Sequence, residues 1–471
     1  MTHSNPISTT ASVCPVCLNR IEAQIVSREG EIFLEKSCPE HGHFSTAIWR
    51  GHPPFDTWRR PKIPSYPAHP ATTIEKGCPF DCGLCPDHRQ HTCTALLEVT
   101  SRCNLSCAFC FAESGSPDLP GEQPADPPLS VIRQWYDSVR TFSGTANIQI
   151  SGGEPTMRED LTEIVSMGMD MGFGFIQLNT NGILLATRPG LAEALKEAGL
   201  SSVFLQFDGT ADEIYLKIRG KKLLDIKLKA IKRCAAAGIG VVLVPTLVPG
   251  INDTDIGNLV NLAMGLSPGV RGVHFQPVSY FGRFPGLAGN EARITLTEVL
   301  QAIERQTKGA VQMAHFNPPG CENALCSFHG TFLILKDGSL MPLSPSATGC
   351  CPMPGLAAEG AKKAVSITAR QWSAPETVPS LLPLSTIGAC CSGKCTPTGH
   401  SSRALDLGEF VERIKTHTLS ISAMAFQDAW NLDLERLKDC CIHTVSPDGR
   451  LVPFCAHNLS SATGIALYRK K

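Results

Sequence analysis

The 471-residue sequence predicts an α/β protein: a partial (β/α)6 barrel with a small metal-knuckle domain before it and a cysteine-rich extension after it. Two observations predict this fold. Short apolar strands recur between residues 94 and 279, and the spacing leaves room for a helix after each of them, which is typical of right-handed crossovers and a parallel sheet. The 21 cysteines, moreover, stand mostly in tight clusters around that region. Without a visible export signal, clustered thiols indicate metal ligands rather than disulfides.

Residues 1–60 are predicted to form the metal-knuckle domain. Two alternating apolar stretches around Glu29 and Gly30 predict a β-hairpin between two ligand-bearing knuckles. The ligand spacing is typical of rubredoxin or zinc-ribbon sites, and it does not separate mononuclear iron from zinc. The candidate ligands are Cys14, Cys17, Cys38 and His41.

Residues 61–93 begin as a proline-rich linker and end in four closely spaced cysteines. Four thiolates suffice for an auxiliary [4Fe–4S] cluster or a zinc site, and we favour the cluster. His88 and His91 lie among these cysteines and are interpreted as neighbours of the metal or as exposed residues rather than ligands. The four predicted ligands are Cys78, Cys82, Cys85 and Cys93.

Residues 94–310 are predicted to form the barrel. Polar residues follow its strands, at the edge where parallel βα architectures bind ligands. The six predicted strands are 94–100, 147–151, 174–180, 202–209, 240–248 and 272–279.

A three-cysteine loop follows the first barrel strand. Cys103, Cys107 and Cys110 have the spacing C-x3-C-x2-C, and we expect them to be catalytic metal ligands. Three thiolates can hold three irons of a [4Fe–4S] cube and leave the fourth iron open to another molecule. A three-cysteine zinc knuckle is the alternative.

The next strand ends in a Gly-Gly-Glu-Pro segment. Its glycines allow a ligand to approach the backbone closely, and its carboxylate can accept a hydrogen bond from an ammonium group. Polar residues at later strand ends are interpreted as ribose or substrate contacts, with turn capping or core packing as the alternative. The predicted cofactor-binding residues are Gly152, Gly153, Glu154, Asn181, Asp208 and Gln276.

Together the two motifs resemble the radical S-adenosylmethionine (SAM) superfamily. The resemblance implies that SAM chelates the open iron of the cluster and is cleaved reductively to a 5′-deoxyadenosyl radical. It also implies a small-molecule substrate and a reductant such as flavodoxin or ferredoxin. Segments along nearly the whole chain, including 78–93, 318–330 and 443–455, are similar to the subgroup that contains tetraether lipid synthase and the methylase of 7,8-dihydro-6-hydroxymethylpterin.

Residues 311–471 lose the βα period and are predicted to be an auxiliary-cluster and substrate region. More cysteines are present than one further cluster needs. The candidates are Cys321, Cys326, Cys350, Cys351, Cys441 and Cys455. Adjacent thiols also suit soft ions such as trivalent arsenic.

The predicted function is a radical SAM transferase that joins a methyl or alkyl group to a small molecule such as a pterin or a lipid. One alternative is methyl or 3-amino-3-carboxypropyl transfer to an arsenic species. Another is a zinc-ribbon binding module without enzymatic activity. The net charge of −1 disfavours a nucleic-acid partner, and the sequence has neither a long apolar run nor a signal peptide, so we expect a cytoplasmic protein.

Overall fold

The computed structural model describes residues 5–115, 125–286, 289–344, 354–375 and 407–469. Within these ranges the strands form a four-stranded sheet near the N-terminus and a twelve-stranded sheet that contains the barrel. Residues Cys350 and Cys351, which we predicted as ligands, lie outside the described ranges, as do the cysteines at 390, 391 and 395.

The N-terminal sheet is an antiparallel meander in the order β1-β2-β3-β4. The predicted hairpin is present, because Glu29 and Gly30 both have positive φ and reverse the chain between β2 and β3. A short helix, α1 (Phe55–Trp58), follows. The four strands are β1 Asn5–Val13, β2 Arg20–Arg28, β3 Glu31–Cys38 and β4 Gly42–Arg50.

All six predicted barrel strands are present and pair in parallel in chain order, so their carboxyl ends share one edge. A short additional strand, β10 (Thr246–Leu247), pairs with the last of them. The prediction of a partial α/β barrel is confirmed. The six strands are β5 Thr94–Thr100, β6 Asn147–Gly152, β7 Ile176–Thr180, β8 Ser202–Gln206, β9 Gly240–Val244 and β11 Val270–Pro277.

Helices connect these strands and cover the sheet. Apolar residues in the strand centres, such as Leu97, Ile150 and Leu243, have no exposed surface, as expected for a parallel sheet that is buried on both faces. The helices of this region are α2 Leu129–Ser143, α3 Leu161–Asp170, α4 Ile183–Thr187, α5 Leu191–Glu197, α6 Asp212–Arg219, α7 Leu224–Ala236, α8 Ile256–Gly265 and α9 Leu296–Gln306, with 3₁₀ turns at Pro155–Met157 and Met313–His315.

The C-terminal extension lengthens the barrel sheet at both ends. β14 lies parallel to β11 at one end, and β15 lies parallel to β5 at the other. Residue 310 therefore marks the end of the six-strand repeat but not of the sheet. The elements are β12 Ser327–Ile334, β13 Leu340–Pro342, α10 Ala357–Trp372, α11 Leu407–Thr416, β14 Thr418–Met424, α12 Leu434–Lys438, β15 Ile442–Val445, β16 Leu451–Pro453 and α13 Phe454–His457.

The N-terminal sheet packs on this extension through a buried lysine. The Nζ of Lys36 donates to the Ser12 hydroxyl at 2.9 Å and to the Ala429 carbonyl at 2.6 Å. Nearby, the Thr10 hydroxyl donates to the Asp433 carboxylate at 2.6 Å. Among the described helices, none combines the length and the apolar character that a bilayer crossing requires.

Candidate active site and metal centres

A cavity of about 780 Å³ opens at the carboxyl ends of the barrel strands. The three-cysteine loop and the Gly-Gly-Glu segment both line it, together with side chains from β8, β11 and α10. The two motifs that the sequence singled out thus face the same space, as ligand sites at this edge of parallel sheets do.

The three cysteines of the loop lie in an apolar setting. Cys107 is buried and packs with Leu105, Tyr215 and Leu223, and Cys103 and Cys110 border the same cluster. Burial raises the pKa of Cys103 to about 12. Thiols in such surroundings ionise when a metal binds them, so this donor set fits a cluster held by three thiolates.

Asp208 does not line the cavity, contrary to our prediction. Both of its carboxylate oxygens accept hydrogen bonds from Arg219, from Nε and Nη2 at 2.7 Å each, and the Asp208 side chain is fully buried. Strand β8 ends before this residue, and the chain turns its carboxylate toward α6. Arg219, which the sequence analysis missed, lines the cavity and donates to the Phe109 carbonyl at 3.2 Å.

Arg283 holds the cysteine loop from another side. Its Nε donates to the Cys107 carbonyl at 2.7 Å and its Nη2 to the Ser114 carbonyl at 2.8 Å. Its backbone also exchanges two hydrogen bonds with Cys110, each at 2.9 Å. The loop is therefore positioned by residues more than a hundred positions away, which local spacing does not reveal.

The glycines of the Gly-Gly-Glu segment are required by the chain's own backbone. The Gly153 N–H donates to the Thr100 carbonyl and the Glu154 N–H to the Arg102 carbonyl, both at 2.8 Å. A Cβ on Gly153 would overlap the Arg102 carbonyl oxygen, and one on Gly152 would overlap that of Thr100. The close approach that the sequence predicted for a ligand is thus made by the chain itself, at Thr100 and Arg102 just before the cysteine loop.

The Glu154 carboxylate is almost completely buried and accepts several hydrogen bonds from the protein. Its donors include the Thr180 hydroxyl at 2.6 Å and the Asn181 N–H at 2.7 Å. The side chain of Asn181 in turn donates to Asn104 in the cysteine loop at 2.7 Å. Glu154 and Asn181 both line the cavity and tie the ends of β6 and β7 to the loop.

A further part of the cavity wall combines carboxamides and aromatic rings. Gln276, as predicted from its strand-end position, lines the cavity, and so do Gln149 and Gln206. The Phe204 ring centroid lies 5.5 Å from that of Trp372 and 5.3 Å from that of His274. Such a wall suits a flat molecule with hydrogen-bonding edges.

The N-terminal sheet brings together the four predicted knuckle ligands. Ligand atoms of Cys14, Cys17, Cys38 and His41 all lie within 4.8 Å of one another. The His41 Nδ1 is 3.4 Å from the Cys38 Sγ, and this hydrogen bond lowers the pKa of Cys38 to about 7. Three sulfurs and one imidazole fit a tetrahedral structural zinc site.

The structure separates Cys93 from the cysteines with which we grouped it. Ligand atoms of Cys93, Cys321 and Cys441 lie within 4.8 Å of one another, and the Cys93 and Cys441 sulfurs are 3.1 Å apart. Strand β15 pairs in parallel with β5, which sets these residues side by side. The three buried cysteines lie beside Glu322, whose Oε2 is 3.8 Å from the Cys441 sulfur.

The other predicted ligands form two further groups. Cys78, Cys82 and Cys85 line a small pocket with His88. Cys326 does not join Cys321, because its sulfur accepts a hydrogen bond from Arg436 at 3.2 Å. Cys326 and Arg436 also act electrostatically on Cys455, whose pKa is raised to about 12 mainly by burial.

The sequence is similar to known protein families and to individual proteins. The family described as the radical SAM superfamily matches residues 97–263, and the one described as the HMPTM N-terminal zinc ribbon domain matches residues 6–50. The 7,8-dihydro-6-hydroxymethylpterin dimethyltransferase of Methanocaldococcus jannaschii is 34% identical over 95% of this chain and 93% of its own length. A GTP 3′,8-cyclase of Listeria welshimeri is 29% identical over 57% of this chain and 77% of its own.

The chain belongs to the radical SAM superfamily, and within it to the family of the archaeal dimethyltransferase. It is therefore a radical SAM enzyme, whose family uses a [4Fe–4S] cluster and SAM. Among solved structures, SuiB of Streptococcus suis bound to S-adenosylmethionine matches 46% of this chain and 48% of its own, with 15% identity and a TM-score of 0.37. The assignment rests on the sequence comparisons.

Proposed function

We propose that this enzyme transfers a methyl or alkyl group derived from SAM to a small, flat heteroaromatic molecule, with a pterin as the first candidate. One observation carries the proposal: the cysteine loop shares its cavity with a wall of carboxamides and aromatic rings. Carboxamides can pair with the N–H and C=O edges of a pterin, whereas an alkyl chain offers them no hydrogen bond. The name of the archaeal relative supports the same substrate.

The cluster and SAM would supply a carbon-centred radical, and the protein's residues would position the reactants. Cys103, Cys107 and Cys110 would hold the cluster. Asn181 and the Gly152–Glu154 segment would orient SAM, because they border the loop on the cavity side. A flavodoxin- or ferredoxin-type protein would supply the electron.

The aromatic rings of the cavity wall would then orient the substrate. Phe204 and Trp372 offer ring faces for stacking, and Gln206 and Gln276 offer donors and acceptors at the ring's edge. A buried setting also keeps water and other quenchers away from a reactive radical.

The test is anaerobic turnover of the reconstituted enzyme with dithionite, SAM and 7,8-dihydro-6-hydroxymethylpterin. We expect 5′-deoxyadenosine, a pterin heavier by methyl groups and one S-adenosylhomocysteine for each methyl group that SAM donates, all lost in Cys107→Ala. Iron-loaded enzyme that forms no 5′-deoxyadenosine would contradict the radical chemistry. Formation of 5′-deoxyadenosine with an unchanged pterin would contradict the substrate.

The role of the carboxamide wall has its own test. Gln276→Leu should raise the KM for the pterin about tenfold, since one lost hydrogen bond in a buried site costs about 1–2 kcal/mol. Gln24→Leu makes the same chemical change on the exposed face of β2 and should leave the KM unchanged. Equal KM values for the two variants would contradict the role of Gln276.

For the metals outside the active site, we propose zinc in the N-terminal sheet and two iron–sulfur centres. One would lie at Cys78, Cys82 and Cys85, and the other at Cys93, Cys321 and Cys441. The site of Cys93, Cys321 and Cys441 borders the catalytic cavity, since Cys93, Cys321 and Glu322 line it. A redox centre at that wall could exchange an electron with a substrate radical.

A further inference from the structure

A loop of the linker holds three cysteines around one small pocket. Cys78, Cys82 and Cys85 line it, and the Cys78 thiol interacts electrostatically with the other two. The Asp81 carboxylate organises the loop, because it accepts backbone hydrogen bonds from Glu75 at 2.8 Å and from Gly77 at 2.6 Å. Three thiolates alone leave one iron of a cube without a protein ligand.

Two other described cysteines, Cys93 and Cys455, have partners of their own. Cys93 lies with Cys321 and Cys441, where its sulfur is 3.1 Å from that of Cys441. Cys455 accepts a hydrogen bond from the Gln427 N–H at 3.3 Å and is electrostatically coupled to Cys326. Among the described residues that line this pocket, His88 is the one further side chain of a type that ligates iron–sulfur clusters.

His88 lines the same pocket, and one of its ring nitrogens has no hydrogen-bond partner among the described residues. Its side chain is buried, with 4% of the residue exposed, and its Nε2 has no hydrogen-bond partner among the described residues. A buried polar atom without a partner costs free energy, and a bond from this nitrogen to a metal would remove that cost. The turn that closes with the His88 N–H on the Cys85 carbonyl, at 3.0 Å, brings the imidazole back toward the thiols.

Backbone groups and a second histidine surround the imidazole. The backbones of Cys440 and Gln90 both lie close enough to the imidazole to act on it electrostatically. Ligating histidines commonly donate their second ring N–H to a backbone carbonyl, which fixes the tautomer and the ring's direction. His443 packs edge-on against the ring at 5.0 Å between centroids and restrains it further.

We propose that His88 is the fourth protein ligand of an auxiliary [4Fe–4S] cluster held by Cys78, Cys82 and Cys85. The inference rests on the proposed auxiliary centre and not on the transfer reaction. A neutral imidazole in place of a thiolate makes the centre less negative by one charge, and such replacements raise the reduction potential of iron–sulfur clusters. The site would then be the more easily reduced of the auxiliary centres.

The test compares the reconstituted full-length enzyme with His88→Cys and with the control His91→Ala. His91 stands three residues on, and its Nε2 is 3.0 Å from the Ser65 hydroxyl, away from the pocket. Iron and sulfide are counted per chain, and the dithionite-reduced proteins are studied by pulsed EPR for directly bound nitrogen. SAM is left out, because its amino group would add a nitrogen at the radical SAM cluster.

We expect bound histidine nitrogen in the wild type and in His91→Ala, and its loss in His88→Cys with the iron content retained and the midpoint potential shifted downward. No nitrogen coupling in the wild type, coupling that persists in His88→Cys, or zinc in place of iron at this site would each overturn the proposal. Cleavage of SAM to 5′-deoxyadenosine is measured separately, so a failure of the radical chemistry would be distinguishable from a failure here.

Discussion

Arg219 donates its Nε and Nη2 hydrogens to the carboxylate of Asp208, at 2.7 Å each, in an ion pair almost completely hidden from solvent. The same guanidinium donates from Nη1 to the backbone of the cysteine loop at Phe109. The pair thus links the end of β8 to the loop that would carry the catalytic cluster.

Asp208→Asn should leave a buried, unpaired guanidinium, which costs about 3–5 kcal/mol. We expect a lower urea midpoint, less iron at the three-cysteine loop and slower formation of 5′-deoxyadenosine. The control is Asp428→Asn, which breaks another buried pair, with Arg293, that has no hydrogen bond to the cysteine loop among the described residues. Equal iron content and 5′-deoxyadenosine rates in the two variants would contradict the positioning role of Arg219.

Gly153→Ala should weaken SAM binding about tenfold or more, because overpacking a tight contact costs about 1–3 kcal/mol. The added methyl group would overlap the Arg102 carbonyl and push the cysteine loop away. Equilibrium binding of SAM to the reconstituted enzyme measures the effect. Gly174→Ala, at a site with no atom within 4 Å of the new Cβ, should bind SAM as the wild type does.

Stability should rise with pH between about 7 and 10 because of Lys36. Burial lowers the pKa of Lys36 to about 7, and the nearby Asp428 offsets this only in part. The unfolded chain keeps that proton up to about pH 10, so it binds more protons over this range and unfolding becomes less favourable by up to about 1.4 kcal/mol per pH unit.

Lys36→Met should remove most of that rise, as measured by urea unfolding at several pH values. Lys229→Met replaces an exposed lysine and should keep the slope of the wild type. A wild-type stability that falls between pH 7 and 9, or a slope unchanged in Lys36→Met, would show that Lys36 does not titrate in this way.

His41→Ala should release the metal of the N-terminal sheet, because a structural site needs all four ligands to stay closed. Metal analysis of the purified protein should show about one zinc ion fewer per chain and a lower Tm. His43→Ala is the matched control, since this nearby exposed histidine contacts Ser37 and not the cysteines. Full zinc content in His41→Ala would refute the assignment of His41 as a ligand.

Features that depend on near neighbours in the chain could be predicted from the sequence. The hairpin at Glu29 and Gly30, the grouping of Cys14, Cys17, Cys38 and His41, and the six barrel strands follow from spacing, turn chemistry and periodicity. The position of the loop at Cys103, Cys107 and Cys110 relative to Gly153 also follows, because parallel strands present their carboxyl ends at one edge.

Only the tertiary structure decided which distant residues meet. Proximity in sequence predicted that Cys93 groups with Cys78, Cys82 and Cys85. The parallel pairing of β5 with β15 instead places its sulfur beside that of Cys441. Asp208 lies near the end of a strand, as Gln276 does. Its carboxylate, however, pairs with Arg219 of the next helix and does not line the cavity. The physical reason is that local patterns specify elements and turns, whereas strand order and ion pairing between elements depend on the folded whole.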